Sequence, residues 1–166
     1  MRDTIKKLSE SRDLTAAECG EAMEKITSGE ATPVQTAAFL TALRLKGETT
    51  DEIFGAAQLL RSKVRPVTHH QEMTFDNCGT GGDGSGTFNI STTAAIIIAG
   101  CGVPVAKHGN RSVSSSCGSA DVLQQLGVEL QLSPEQIGEC IDEIGFGFLF
   151  APNLHPAMKT VAPVRK

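Results

Sequence analysis

Apolar residues recur three and four apart through most of the first 66 positions, then give way to short apolar runs separated by glycine-rich and serine-rich loops. The first stretch reads as helices only. Thr15 opens a capping box with Glu18, Ala22, Met23 and Ile26 supply an apolar face, and Gly29 ends the helix. Thr32 caps a second helix with Pro33 in its first turn, carrying Val34, Ala37, Ala38, Leu40 and Leu43 up to Gly47. Thr49 with Glu52 opens a third, for which the spacing predicts an apolar stripe of Ile53, Phe54, Ala57 and Leu60 before Pro66. The Ala-rich faces of these helices suit close helix contact, within the chain or against a second copy.

From Met73 onward the pattern alternates. It predicts strand 73–77, helix 90–100, strand 103–107, helix 118–126, a helix over 134–144 capped by Ser133, and a strand "FGFLF" over 146–150. Strands alternating with helices predict an α/β domain with a parallel sheet, in which ligands gather at the carboxyl ends of the strands. The expected division is a helical domain over 1–70 and an α/β domain over 71–166. The three loops with unusual composition are the ones that would follow those three strands.

Composition narrows the partners. With Trp and Tyr absent, only seven Phe and a formal charge of −4, there is neither an aromatic platform for stacking bases nor a general attraction to nucleic acid or anionic membrane. The five cysteines are odd in number and form no C-x-x-C pair, so they read as reduced thiols of a cytoplasmic protein rather than a disulfide or zinc framework. The start "MRDTIKKLSESRD" is too polar for a signal peptide, and "AAIIIAGCGVPVA" is too short and glycine-broken to cross a bilayer.

The chemistry is concentrated in "DNCGTGGDGSGTFNIS" (76–91), which places five glycines between Gly79 and Gly86 and then enters a helix. Bare backbone between a strand and a helix N-terminus is the arrangement that cradles an anion with N–H groups; the bland alternative, a flexible loop, explains neither the helix nor the polar set Asn89, Ser91, Thr92 and Thr93. A Walker A loop is absent, since Gly84 is followed by Ser85 and Gly86 instead of Lys and Ser or Thr. Gly79, Gly81 and Gly84 match the dinucleotide spacing, but Lys107 stands where that fold needs an acid for the ribose hydroxyls. A cation there argues for further phosphate. The second loop, "KHGNRSVSSSCGSAD" (107–121), adds Lys107, Arg111 and five serines, a donor set for one or two phosphates; His108 reads equally as a structural residue.

Taken in order, "GTGGDGSGTFNIST", "VAKHGNRSVSS" and "GFLFAPNLHPAMKTVAPVRK" closely resemble the anthranilate phosphoribosyltransferase family of tryptophan biosynthesis. The resemblance covers the whole chain and implies a helical domain followed by the first part of a nucleoside phosphorylase/phosphoribosyltransferase-like α/β domain. It places phosphoribosyl pyrophosphate contacts on Gly79, Gly82, Asp83, Thr87, Asn89, Ile90, Ser91, Thr92, Lys107, His108, Gly109, Asn110, Arg111, Ser112, Val113, Ser114, Ser115 and Ser119. Anthranilate contacts fall on Gly79, Asn110, His155 and Arg165, where the arginine can pair with the substrate carboxylate. Ser91 matches a ligand of Mg2+, the implied cofactor, and a homodimer through the helical part is implied.

The implied reaction is displacement of pyrophosphate by the aromatic amine, needing no protein nucleophile and assigning no catalytic residue on this chain. The family's chains run to roughly double this length and carry an adjacent Asp and Glu for magnesium in the later half. Asp142 and Glu143 are not that pair and are expected on a solvated helix face. The 166 residues alone are therefore expected to show little activity. Two other readings remain at this point: a pyrimidine nucleoside phosphorylase-like enzyme, with the same architecture but lacking the full "KHGNRSVSS" string, and a non-catalytic dimerising, phosphate-binding module.

Overall fold

The computed structural model describes residues 1–79, 86–112 and 117–164. They form two compact units: residues 1–64 with the described part of 155–166, and residues 65–154.

The first unit contains α1 (Arg2–Ser9), α2 (Ala16–Thr27), α3 (Pro33–Lys46) and α4 (Thr50–Ser62). Capping boxes at Thr15, Thr32 and Thr49 start the last three, each threonine hydroxyl accepting the amide of the third helical residue while Glu18, Gln35 and Glu52 reach back to the cap. The core joins Leu8, Leu14, Cys19, Ala22, Met23, Ile26, Ala31 and Phe39, with Val161 from the 155–164 segment. Helices α2 and α4 approach so closely that a Cβ on Gly55 would strike the Ala16 backbone.

The stripes expected on α3 and α4 hold in part: Leu40, Leu43 and Leu60 pack on the core, and the other positions are corrected. On α4 the buried face carries Glu52 and Gly55, with Ala56 and Leu59 partly buried, whereas Ile53 and Phe54 are 59% and 58% exposed. On α3 it carries Thr36 and Phe39, and Val34 is 79% exposed. The reason is a polar network inside the bundle. Glu52, 1% exposed, accepts the amides of Leu14 (2.9 Å) and Thr49 (2.8 Å) and the Lys46 ammonium (3.0 Å), which also reaches Asp13 (2.8 Å). Burial pushes the Glu52 carboxyl up, but those donors outweigh it and hold it below its ordinary range. A periodicity scan skips a buried glutamate and a contact glycine.

The second unit contains α5 (Ile90–Gly100), β1 (Val105–Gly109), α6 (Ser119–Gln125), α7 (Pro134–Ile144), β2 (Phe146–Phe150) and the short α8 (Ala151–Leu154). Strands β1 and β2 pair in parallel, Val105 opposite Phe146 through Gly109 opposite Phe150. Side chains alternate across the sheet. Phe148 and Phe150 pack with Ala120, Leu123 and Leu130 around α6, while Leu149 packs with Ile137, Ile141 and Leu154 around α7. Gly147 lets α7 close on the sheet, since its Cβ would lie 2.5 Å from Ile141 Cγ1.

The strand expected over 73–77 is a single parallel bridge, Phe75 to Val105. Its ladder stops because the Asp76 side chain takes the His108 amide (3.3 Å) and the Cys78 amide (3.0 Å), turning the chain into the glycine loop. The strand expected over 103–107 lies two residues later, at Val105–Gly109, because Pro104 has no N–H to donate. Asp142 is also corrected. It is not a freely solvated face residue, since its carboxylate accepts the His70 amide (2.9 Å) and meets His70 Nδ1 (2.7 Å), fastening the 65–71 segment to α7. Glu143 is exposed.

Candidate anion site at the carboxyl end of the sheet

Three segments meet where β1 ends, and each is fixed by a side chain. Asn77 joins two of them: its Nδ2 donates to the Ser91 carbonyl (2.9 Å) in the first turn of α5, and its Oδ1 accepts Lys107 Nζ (3.1 Å). Asp76 joins the start of the glycine loop to β1 through the Cys78 amide, the His108 amide and His108 Nδ1 (3.0 Å). Neither Asp76 nor Asn77 is singled out by sequence reasoning, although both open the glycine stretch. An Asx residue ahead of a glycine loop was the available signal.

Lys107 is the central group. Its side chain lies on the sheet face opposite Ala106, and the residue is 1% exposed. A buried ammonium is costly unless paired, and the single partner of this one among the described residues is a neutral amide oxygen. Three N–H donors on one charge leave capacity for an anion.

Around it the backbone is tightly specified. At Gly109 a Cβ would meet Ser119 Oγ and lie 2.5 Å from the Phe148 ring. Ser119 Oγ accepts the Asn110 amide (3.2 Å) and donates to the Asn110 carbonyl (3.3 Å), so β1 runs directly against the start of α6. Arg111 is engaged within the protein. Its guanidinium donates to Asp121 (2.9 Å) and Gln124 (2.8 Å) and lies 5.9 Å from the centre of the Phe150 ring. Two of the N–H groups expected to grip an anion therefore have protein partners. Asp121 also accepts the amides of Gly118 (2.9 Å) and Ser112 (3.1 Å), and these, with Arg111, hold its carboxyl below the ordinary range.

At the other wall, α5 begins without a side-chain cap. Asn89 spends its Nδ2 on the Cys117 carbonyl (3.3 Å), and Thr92, 1% exposed, has an Oγ1 without a hydrogen-bond partner. Ile90 and Thr87 are exposed, as is Gly79. An uncapped helix start with spare donors suits negative charge.

The structure thus gathers Asn89, Ser91, Thr92, Lys107, His108, Gly109, Asn110 and Ser119 around one strand end. Gly82, Asp83, Val113, Ser114, Ser115 and Arg165 lie outside the described residues. His155 stands in the first compact unit, at the start of a 3-10 turn. For magnesium, the described residues hold no cluster of three or more His, Cys, Asp or Glu able to bind a metal. A lone serine hydroxyl fits an ion carried mainly by substrate phosphates, which is how magnesium is commonly bound.

A helical bundle followed by a parallel α/β unit is the domain pair of one family. The helical bundle domain of the glycosyl transferase family matches residues 2–64, and its a/b domain matches residues 71–166; the chain belongs to this family. More particularly, it is 57% identical over its whole length to an anthranilate phosphoribosyltransferase from Symbiobacterium thermophilum, of which it covers 49%. The crystal structure of that enzyme from Thermus thermophilus superposes with a TM-score of 0.88 at 50% identity, over 98% of this chain and 50% of the other. The Saccharomyces cerevisiae enzyme in complex with PRPP and Mg gives 0.88 at 28% identity over 99% and 50%, and in complex with 4-fluoroanthranilate 0.82 at 27% over 99% and 48%. The chain spans about half the length of the relatives it matches.

Proposed function

We propose that this chain forms the phosphoribosyl pyrophosphate-binding part of an anthranilate phosphoribosyltransferase. The observation that carries the proposal is Lys107, a buried ammonium whose one partner among the described residues is the neutral Asn77 oxygen, at the strand end where two donor-rich segments begin. The whole-length identity to enzymes of that name supports it, as does the yeast relative bound to PRPP and Mg.

In the reaction, the amine lone pair of anthranilate forms a bond to the anomeric carbon of the ribose. The carbon–oxygen bond to pyrophosphate breaks, its electron pair leaves with the pyrophosphate, and the amine gives up a proton. The described residues bind and orient: Lys107 neutralises phosphate charge, the start of α5 offers N–H groups, and Asn110 and Ser119 fix the second loop. Gly79, Gly82, Asp83, Thr87, Asn89, Ile90, Thr92, His108, Gly109 and the 112–115 segment complete the phosphoribosyl contacts in this proposal, and Gly79, Asn110, His155 and Arg165 those of anthranilate. Among the described residues Ser91 would hold magnesium, which would supply charge neutralisation on the leaving group when bound.

The assembly proposed is a homodimer through the helical part. Its basis is the exposed apolar stripe Val34, Ala38 and Leu45 on α3. The domain limits proposed are 1–70 and 71–166, and the compartment is the cytoplasm, in keeping with five free cysteines. The test is the whole protein assayed with phosphoribosyl pyrophosphate, magnesium and anthranilate, following the loss of anthranilate fluorescence. Phosphorolysis of uridine or thymidine without turnover of anthranilate would refute the proposal in favour of a nucleoside phosphorylase.

A further inference from the structure

Asp121 lies outside every contact proposed for the substrates, yet it accepts three N–H groups beside the site, as many as Asp76. It stands at the third position of α6 and reaches back over the start of the helix. One oxygen accepts the amides of Ser112 and Gly118, and the other accepts Arg111. The chain therefore leaves the site at residue 112 and returns at residue 118 within reach of a single carboxylate. The two arms touch: a Cβ on Gly118 would lie 2.6 Å from the Arg111 carbonyl carbon and 2.7 Å from the Asn110 oxygen. Arg111, in turn, is braced by Gln124 and the Phe150 ring, so its guanidinium acts as a strut between the loop and the α6 face of the sheet.

We propose that Asp121 is a positioning residue for phosphoribosyl pyrophosphate. It works by holding Asn110, Arg111 and Ser119 in place, and Arg111 serves through Asp121 instead of gripping a phosphate itself. This rests on the phosphoribosyltransferase function proposed above. The chemistry is specific to a carboxylate. Two amides and a guanidinium converge on it, and an asparagine of the same shape would turn a donor toward Arg111 or toward the amides.

The experiment uses the whole protein with Asp121→Asn, Arg111→Met and the double variant. The Kd for phosphoribosyl pyrophosphate with magnesium is read by calorimetry, and KM for each substrate by the fluorescence assay. Asp121→Asn should weaken phosphoribosyl pyrophosphate about ten- to a hundredfold, the range for removing a group that orients a ligand-binding residue. The KM for anthranilate should rise by a clearly smaller factor, because Asn110 is the one residue held by Asp121 that both substrates are proposed to share, whereas Arg111 and Ser119 stand only on the phosphoribosyl side. The double variant should be no weaker than the weaker single variant, because both substitutions break one unit. If the two losses multiply, Arg111 holds phosphate on its own and the proposal is overturned. Equal loss for both substrates also overturns it, since a merely structural role would act on the whole protein. Should Asp121→Asn fail to fold, Asp121→Glu, which moves the charge out by one methylene, takes its place with the same outcomes. Absence of phosphoribosyl pyrophosphate binding by the wild type overturns the function itself; normal wild-type binding with an unaffected Asp121→Asn overturns only the role of Asp121.

Discussion

Replacing Lys107 by methionine should separate binding from stability. The side chain is 1% exposed and its ammonium has one neutral acceptor, Asn77 Oδ1 at 3.1 Å. Without ligand, the desolvation cost of such a charge is several kcal/mol, offset by a charge-assisted hydrogen bond worth about 1.5–3 kcal/mol. Methionine has similar length and volume and no charge to desolvate, although it leaves the Asn77 oxygen without its donor. The net expectation is a gain of about 1 kcal/mol, or a rise in Tm of about 2–4 °C for a chain of this size. Ligand binding should move the other way. Removing one partner of a buried, charge-assisted contact costs about 2–5 kcal/mol, so the affinity for phosphoribosyl pyrophosphate should fall by about 30-fold to 4,000-fold. Scanning calorimetry without ligand and titration calorimetry with phosphoribosyl pyrophosphate and magnesium read the two effects. A Tm lowered by more than about 5 °C with unchanged affinity would refute the reasoning, because it would make Lys107 a structural residue.

Gly109→Ala should destabilise by about 1–3 kcal/mol, seen as a lower Tm, because the added methyl enters the space of Ser119 Oγ and the Phe148 ring. Gly55→Ala should do the same in the helical unit by forcing α4 away from the Ala16 backbone, with the Tm again as readout. Glu52→Gln should cost about 3 kcal/mol at neutral pH, since it removes the buried partner of Lys46. Because the folded carboxyl of Glu52 lies below its ordinary range, its stabilisation is complete above that range and is lost as pH falls through the lowered value; denaturant titrations of the variant should therefore show a flatter loss of stability in acid than the wild type. Lys46, raised first by Asp13 and also by Glu52, has the opposite sign, and its stabilisation is lost as pH rises through its elevated value. Leu45→Glu should reduce the mass seen by analytical ultracentrifugation if the exposed face of α3 joins two copies.

The elements that sequence reasoning placed best are those with both a start signal and an end signal. The helix over Pro134–Ile144 has Ser133 before it and Gly145 at positive φ after it, and the strand Phe146–Phe150 follows directly. Apolar spacing found the buried face of α2 and the core contacts of Leu40, Leu43 and Leu60, but on α3 and α4 it also took in residues that are exposed. Helix α4 buries a glutamate and a glycine, one held by two amides and a lysine, the other by contact with α2, and neither contributes to an apolar period. Helix α1 gave no such signal, since Leu8 is its one fully buried residue. The strand over 73–77 failed for a related reason. Asp76 diverts the amide of His108 from the ladder, a side-chain competition that propensity does not describe.

The site was legible as a set of donors, because glycine, serine, lysine and arginine in two loops advertise an anion by composition. Its acceptors were not. Asp76 and Asp121 place two carboxylates beside a site proposed for a polyanion, which looks unfavourable if charge alone is counted. Each, however, is occupied by three N–H contacts: Asp76 by Cys78, His108 and the His108 ring, Asp121 by Ser112, Gly118 and Arg111. Their charge is directed at the loops themselves, and the rigidity so gained fixes where the remaining donors stand. Lys107 has a neutral amide oxygen and no carboxylate as its partner among the described residues, so its donors face the ligand without a competing acid. An anion site built from loops therefore needs acids as well as bases, and the acids belong where they can order backbone without reaching the phosphate.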